Sequence, residues 1–323
     1  MNLITNKKVL VTGGAGFIGS HLCDELIRLG NTVVCLDNFY NGSVKNIEHL
    51  INHDKFKVIT GDIRNVYDCH DATIGVEIVF HNAALGSVPR SFSNPTETNE
   101  VNISGFLNIL EASKQNGVER FIYAASSSTY GDHPALPKVE DVIGNPLSPY
   151  AITKYVNELY ANLSDLDTVG LRYFNVFGER QSVIKPYSAV IPTMIYDGIG
   201  SGVITVNGDG ETSRDFTYVQ NVVNMNILSA STNNRNALNQ IYNVGCNNSI
   251  TLNTLSSIIR NYFSMLDEYV KINHVNSRIG DIRHSLASID KANDLLGYHP
   301  HYSIMYGMER TFNYYYNKYN GKI

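Results

Sequence analysis

The stretch that most constrains this chain is Val9-Leu10-Val11-Thr12-Gly13-Gly14-Ala15-Gly16-Phe17-Ile18-Gly19-Ser20, an apolar run that ends in glycines at 13, 16 and 19. Val9 to Thr12 reads as a buried parallel strand. His21 to Leu29 reads as a helix with Leu22, Leu26 and Leu29 on one face, and Gly30 stands where a left-handed cap would end it. A strand that turns sharply into a helix aims unpaired backbone N–H groups at one spot, and the helix dipole makes that spot favourable for a phosphate. The glycines let the backbone approach the phosphate and let the helix pack against the strand. A second apolar run, Thr32 to Leu36, ends in Asp37. An acid roughly 20 residues past the glycines is placed to hold a ribose 2′-hydroxyl, and it would repel a 2′-phosphate. The expected ligand is therefore NAD rather than NADP.

The rest of the first half alternates strand and helix, the pattern of an α/β chain with a Rossmann-type, doubly wound parallel sheet. Phe56–Thr60, Glu77–His81, Phe121–Ala125 and Thr168–Phe174 read as further strands. Asn99–Gln115 reads as one long helix, and Tyr150–Leu163 as another. Each strand runs into Gly, Ala, Ser, Asp or Asn, on the sheet edge where such folds bind ligands. The expected division is a dinucleotide domain over 1–174 and a smaller mixed α/β substrate domain over 175–323. A strand and helix near 215–245 (Ile241–Val244 and Asn221–Ala230) return to the first. Val203–Val206 reads as a strand of the second domain, and the tyrosine-rich Tyr302–Tyr319 as an amphipathic helix packed on the body.

Composition narrows the class. The chain has 323 residues, 43% hydrophobic and 17% charged, as ordinary globular proteins do. No apolar run reaches the roughly 18 residues of a membrane span. Met1 to Lys8 is polar, so no signal peptide is expected and the expected location is cytoplasmic. The four cysteines, Cys23, Cys35, Cys69 and Cys246, have no paired or metal-ligand spacing and read as reduced, buried thiols. No metal is expected, and His299-Pro300-His301 reads as surface. A net charge of −5 without a basic stripe argues against nucleic acid as a partner.

The chemistry centres on Tyr150-Ala151-Ile152-Thr153-Lys154, downstream of Ser126-Ser127-Ser128. Tyr150 and Lys154 lie one turn apart on the same helix face. A phenol has a pKa of about 10 and is a poor base at neutral pH. A neighbouring ammonium, with a positively charged nicotinamide close by, favours the phenolate and can bring it into working range. A serine hydroxyl opposite can hold the substrate oxygen. With NAD adjacent, the set suits hydride removal from a secondary alcohol.

In its glycine pattern, Asp37, Gly61-Asp62, serine run and Tyr150/Lys154, all in order, the chain resembles the extended short-chain dehydrogenase/reductases. Within them it resembles the UDP-sugar C4-epimerases, and among these the bacterial enzymes acting on UDP-N-acetylglucosamine. That closer likeness lies in Tyr123 to Asp132, Leu171 to Gly178, Gly208 to Phe216 and Arg278 to Ser285. The resemblance implies that Tyr150 takes the proton of the sugar C4 hydroxyl while C4 gives its hydride to NAD. The 4-keto sugar then turns and receives the hydride on its other face. Lys154 would bind the nicotinamide ribose, and Ser126 would be the catalytic serine, standing four residues before Tyr130 as the family's serine does; Ser127 and Ser128 are its neighbours in the sugar pocket. The resemblance gives cofactor positions at Gly13, Gly16, Phe17 and Ile18, at Asp37, Asn38, Asn41 and Gly42, at Asp62, Ile63, Ala83 and Ala84, and at Asn99 and Tyr173. Gly86, Ser87, Asn175, Gln181, Ala189 and Val190 would contact sugar or uridine, and Arg214 and Arg278 would hold the diphosphate, a task suited to the guanidinium fork.

Substrate choice turns on Ser285. Enzymes resembling the UDP-galactose type carry a tyrosine here that closes the pocket over the C2 substituent, whereas serine leaves room for an acetamido group. Arg283 could instead serve a carboxylated sugar, so a UDP-N-acetylhexosaminuronate is the alternative substrate. A non-catalytic NAD-binding regulator is a third reading, which the intact Ser126/Tyr150/Lys154 set disfavours. Related dehydratases and decarboxylases place an acid just after the catalytic serine or threonine, and Ser127, Ser128 and Thr129 offer none. The family further suggests a homodimer through the Asn99–Gln115 and Tyr150–Leu163 helices.

Overall fold

The apolar runs pair into one seven-stranded parallel sheet. The computed structural model describes residues 3–183, 189–276 and 283–320. Its first half comprises β1 (Lys8–Thr12), α1 (Phe17–Arg28), β2 (Thr32–Asp37), β3 (Phe56–Thr60), α2 (Val66–Thr73), β4 (Ile78–His81), α3 (Val88–Ser93), α4 (Pro95–Asn99), α5 (Gly105–Gln115), β5 (Arg120–Ser126), α6 (Pro149–Asn162) and β6 (Thr168–Tyr173). Then come β7 (Val176–Phe177), α7 (Val190–Ser201), β8 (Val203–Asn207), β9 (Ser213–Arg214), β10 (Thr217–Tyr218), α8 (Val219–Ser231) and β11 (Gln240–Val244). The last elements are β12 (Ile250–Thr251), α9 (Leu252–Ser264), β13 (Lys271–Val275), α10 (Asp290–Leu296) and α11 (Ile304–Tyr319).

The sheet order is β11-β6-β5-β4-β1-β2-β3, so the order reverses between β1 and β4, where a doubly wound sheet opens its ligand crevice. Every residue of β4 and β6 is buried, as strands covered on both faces must be. One face packs Val9, Val11 and Cys35 against Leu22 and Leu26 of α1 and Val222 and Met225 of α8. The other packs Leu10, Val34 and Val79 against Cys69 of α2, Phe106 and Leu110 of α5 and Ala161 of α6. After the second lobe begins, α8 and β11 return to this sheet, and α10 does so too, putting Ala292 and Leu296 into the first cluster. The second lobe is a separate cluster in which Ile195 of α7, Ile259 and Phe263 of α9 and Phe312 of α11 enclose Ile204 and Val206 of β8. The tyrosine-rich tail is thus the third helix of that core.

The expected single helix over Asn99–Gln115 is interrupted. After α4 the backbone widens into a π-type turn, Glu100–Ser104, before α5 begins at Gly105. Such wide turns cluster at functional sites because they re-aim side chains. Here the widened turn carries Asn102, which is buried, with its side chain accepting from Leu85 N–H (2.8 Å) and donating to Leu85 O (3.2 Å) and Thr153 Oγ1 (3.1 Å). Among the described residues no helix is long and apolar enough to cross a membrane, and no group of three His, Cys, Asp or Glu could hold a metal.

Candidate active site

At the end of β1 the chain has no room for side chains. A Cβ on Gly13 (φ +68°) would lie 2.8 Å from Ala83 N, and one on Gly19 would lie 2.1 Å from Gly13 O. Gly16 enters α1 in extended conformation and no side chain caps that helix, so its first N–H groups, at Phe17 and Ile18, are left for an anion. Asp37, 7% exposed, accepts from Ala15 N–H (2.9 Å) and Phe39 N–H (2.8 Å). Burial raises its pKa and those two hydrogen bonds oppose the rise. Asn38 donates to Asp62 (2.9 Å), and Asp62 is held at a pKa of about 2, chiefly by its hydrogen bonds with Arg64. Gly42 packs where a Cβ would meet the Asp37 carboxylate at 2.9 Å, Asn41 accepts from Arg90 (3.1 Å), and Ala83 N–H donates to Thr12 Oγ1 (3.2 Å), with Ala84 next in the chain. Ile63 turns its side chain inward onto Gly105, so only its backbone can serve a ligand.

Ser126 ends β5, and Tyr150 lies in the first turn of α6, which starts with Ser148 as cap (accepting from Ala151 N–H, 3.1 Å) and Pro149 at its first position. The Ser126 hydroxyl is near enough to the Tyr150 phenol to lower its pKa, and it accepts from Ser128 Oγ (2.9 Å) and Ser128 N–H (3.2 Å). Of the three serines, Ser126 is the one that acts on the Tyr150 phenol, with Ser128 bonded to it and Ser127 partly exposed alongside. One turn along α6, Lys154 is buried and donates to Ala124 O at 2.7 Å, two residues before Ser126. Burial lowers its pKa to about 8, with the charge of Glu158 opposing. Burial raises the Tyr150 pKa, and the Ser126 hydrogen bond offsets only part of this. His81, at the end of β4, is buried, with Nδ1 2.8 Å from Thr12 Oγ1; burial and then Lys154 push its pKa to about 3, so it is neutral.

The remaining expected residues divide. Asn99 is exposed at the end of α4, beside Pro95, Pro149 and Ile152. The inward asparagine is Asn102, three residues on; an Asn amid the apolar face of Val101, Phe106 and Ile109 was the available signal. Ser87 caps α3, accepting from Arg90 N–H (3.3 Å), and Gly86 before it is exposed with open space around it. Tyr173 ends β6 at the crevice, but its side chain is turned inward, where its hydroxyl accepts from Asn226 Nδ2 (3.0 Å). Asn175, at φ +35°, donates to Asp215 O (3.1 Å); Gln181 donates to Val176 O (3.1 Å), and its buried Oε1 has no partner among the described residues. Ala189 and Val190 open α7, which has no side-chain cap. Arg214 donates to Ser213 O (2.9 Å), and Asp215 spends its carboxylate on the N–H groups of Cys246 and Ala287. Ser285 N–H donates to Ser213 O (3.1 Å), setting it beside β9, and Ala287 packs on Tyr130 and Phe174 behind the serine turn. Arg278 lies outside the described residues.

Residues 9–245 match the NAD dependent epimerase/dehydratase family. The chain belongs to this family. It is 34% identical over 311 residues to a putative UDP-glucose 4-epimerase of Methanocaldococcus jannaschii, covering 94% of this chain and 97% of that one. It superposes with a TM-score of 0.91 and 36% identity on the UDP-N-acetylglucosamine 4-epimerase of Methanobrevibacter ruminantium solved with UDP-N-acetylmuramic acid, covering 98% and 100% of the two chains. The Bacillus cereus UDP-glucuronic acid 4-epimerase, solved with UDP-glucuronic acid and NAD, gives 0.88 and 30%, covering 97% and 100%.

NAD, the cofactor of this epimerase/dehydratase family, fits the residues present. The glycine turn supplies a close-approach surface and an uncapped helix start for the pyrophosphate, and Asp37 retains lone pairs for ribose hydroxyls. The tightest point is Gly19. Gly19→Ala would force the Gly13 carbonyl away, at a cost of roughly 1–3 kcal/mol. Its expected result is a lower melting temperature together with loss of copurifying NAD, read by differential scanning calorimetry and by absorbance of the acid-released nucleotide.

Proposed function

We propose that the protein is an NAD-dependent UDP-sugar C4-epimerase acting on UDP-N-acetylglucosamine and UDP-N-acetylgalactosamine. The observation that carries the catalytic part is the meeting of β5 and α6: Ser126 ends the strand, Tyr150 lies in the first turn of the helix, and Lys154 Nζ donates to Ala124 O (2.7 Å), two residues before Ser126. Bound NAD supplies the reversible hydride acceptor. Tyr150 is assigned the proton of the C4 hydroxyl, Ser126 the orientation of that oxygen, and Lys154 the ribose and the positive charge that favours the phenolate. Because burial raises the Tyr150 pKa, this positive field is what the base requires in order to work near neutral pH. Arg214 and Arg278 are assigned the diphosphate. Asn175, Gln181, Ala189 and Val190 are assigned the sugar and uridine; the unpartnered Gln181 Oε1 is a buried acceptor suited to an imide N–H.

Two observations favour the acetamido sugar over a uronate. Ser285 is a small residue next to Arg214's strand. Arg283, the residue that would otherwise meet a sugar carboxylate, has its guanidinium fork on Asp209 (2.6 and 3.1 Å). Parallel incubations with UDP-N-acetylglucosamine, UDP-glucose and the N-acetylhexosaminuronate, read by proton NMR for the C4 epimer, test this. The acetylated neutral sugar should turn over fastest; preference for the uronate would move the assignment to the alternative substrate. Ser285→Tyr should lower kcat/KM for UDP-N-acetylglucosamine relative to UDP-glucose by roughly 10- to 200-fold, the range open to one bulky pocket residue.

The pairing we propose is a homodimer through α4, α5 and α6. Ile152, Leu159 and Tyr160 of α6 and Leu163 just past its end are all exposed, Leu163 at 81%, an apolar strip that a monomer has little reason to present. Sedimentation equilibrium tests it.

A further inference from the structure

The chain leaves β2 at Asp37 and doubles back over the glycine turn. Asp37 and Asn38 each fold the loop onto themselves, accepting from Phe39 N–H (2.8 Å) and Tyr40 N–H (3.0 Å), with Phe39 held at φ +58°. The loop is then pinned to Ala15 O by Ser43 N–H (3.0 Å) and Asn46 Nδ2 (2.9 Å). Tyr40 and Asn41 therefore stand at the rim of the dinucleotide crevice on the β2 side.

On the opposite side, the segment after β4 carries α3, and Arg90 reaches back from it. Its guanidinium lies 5.6 Å from the Tyr40 ring centroid, and its Nη1 donates to Asn41 Oδ1 at 3.1 Å. Since β2 and β4 flank β1 on opposite sides, these two contacts bridge the C-terminal end of β1 and the Gly13–Gly16 turn beneath it. We infer that Arg90 is a cofactor-retention residue: its contacts with Tyr40 and Asn41 form a clasp over the pyrophosphate turn that must open before NAD can leave.

Planarity suits Arg90 to the task, because a guanidinium can stack on a phenol ring and still donate in its own plane, which an ammonium cannot. A clasp of one cation–π contact and one charge-assisted hydrogen bond, both partly exposed, slows departure without making it irreversible. An epimerase that returns its hydride to the sugar in every turnover gains from such retention, since its cofactor need not exchange. The inference itself rests only on NAD binding at the glycine turn, and holds whichever sugar is the substrate.

The test uses the NAD-loaded protein. Release is followed by incubating it with an NAD-hydrolysing scavenger and measuring nucleotide still bound after rapid gel filtration. Arg90→Ala, which removes both contacts, should speed release about five- to tenfold and Tyr40→Ala, which removes one, about two- to fivefold; Arg90→Lys should fall between Arg90→Ala and the parent, and the double alanine variant should be no faster than Arg90→Ala. The melting temperature of the NAD-free protein should be unchanged in all four. Release at the parent rate in Arg90→Ala would overturn the clasp. So would speed-up matched by a fall in NAD-free melting temperature, or fully additive single effects, since either would make these residues general structural contacts.

Discussion

Tyr150→Phe should abolish epimerisation while leaving the protein loaded with NAD. Phenylalanine keeps the ring and removes only the hydroxyl, whose pKa the neighbouring Ser126 lowers, so the change is confined to the proton-transfer group. General acid–base residues typically contribute on the order of 10²- to 10⁴-fold, and that is the fall in kcat expected here, with little change in KM. Ser126→Ala should lose less, because its role is to orient an oxygen and to donate to the phenolate. Three readouts separate the possibilities: NMR turnover, copurified NAD, and UDP-sugar affinity by calorimetry. Loss of turnover with the other two intact supports the assignment. Normal turnover in Tyr150→Phe would remove Tyr150 as the base and leave the fold with some other proton acceptor.

Much of this site is legible in the sequence because its parts are short-range. Gly13 and Gly19 are dictated by backbone clearances of 2.8 and 2.1 Å, which tolerate only one residue type, and Gly16 has only 3.0 Å to Gly13 O. Tyr150 and Lys154 are one turn apart on a helix, a spacing that needs no tertiary information. The wide turn at Glu100–Ser104 shows where this fails. Asn99 and Asn102 lie on what reads as one regular helix, yet Asn99 is exposed and Asn102 buried, and the turn between them is a departure from 3.6-residue periodicity that no apolar pattern announces. The second lobe was less legible for a similar reason. Its strands β7, β9, β10 and β12 are two residues long, below the length at which alternation is visible, and its helices α7 and α9 were passed over among turn residues. Thr12 and Thr153 also escaped notice, since a threonine at a strand end or on a buried helix face shows its bonds, to Ala83 and His81 or to Asn102, only once the chain is folded.

Removing one partner of the Glu158–Arg172 pair should destabilise the protein by about 3–5 kcal/mol, the cost of leaving a buried charge uncompensated. The pair is nearly sealed, at 2% and 3% side-chain exposure, and bidentate, with Nε–Oε1 at 2.8 Å and Nη2–Oε2 at 2.7 Å. Burial alone would lower the Arg172 pKa, but the Glu158 hydrogen bonds outweigh it and hold the group above its ordinary value. Arg172 also donates to Glu140 O (2.9 Å) and stacks 4.7 Å over Tyr130, which sits four residues after Ser126. The pair thus joins the helix of Tyr150 and Lys154 to the turn of Ser126. Glu158→Gln and Arg172→Met should each lower the urea midpoint sharply, whereas the double variant, which buries no unpaired charge, should recover most of the loss. Activity then discriminates a purely structural pair from one that also serves the site. Glu158 opposes the burial that brings Lys154 to a pKa of about 8, so removing its charge lowers that pKa further. Lys154 would then lose its proton at a lower pH, and the alkaline fall in kcat of the refolded double variant should begin earlier than in the parent. An unchanged alkaline limb would confine the pair to holding α6 against β6.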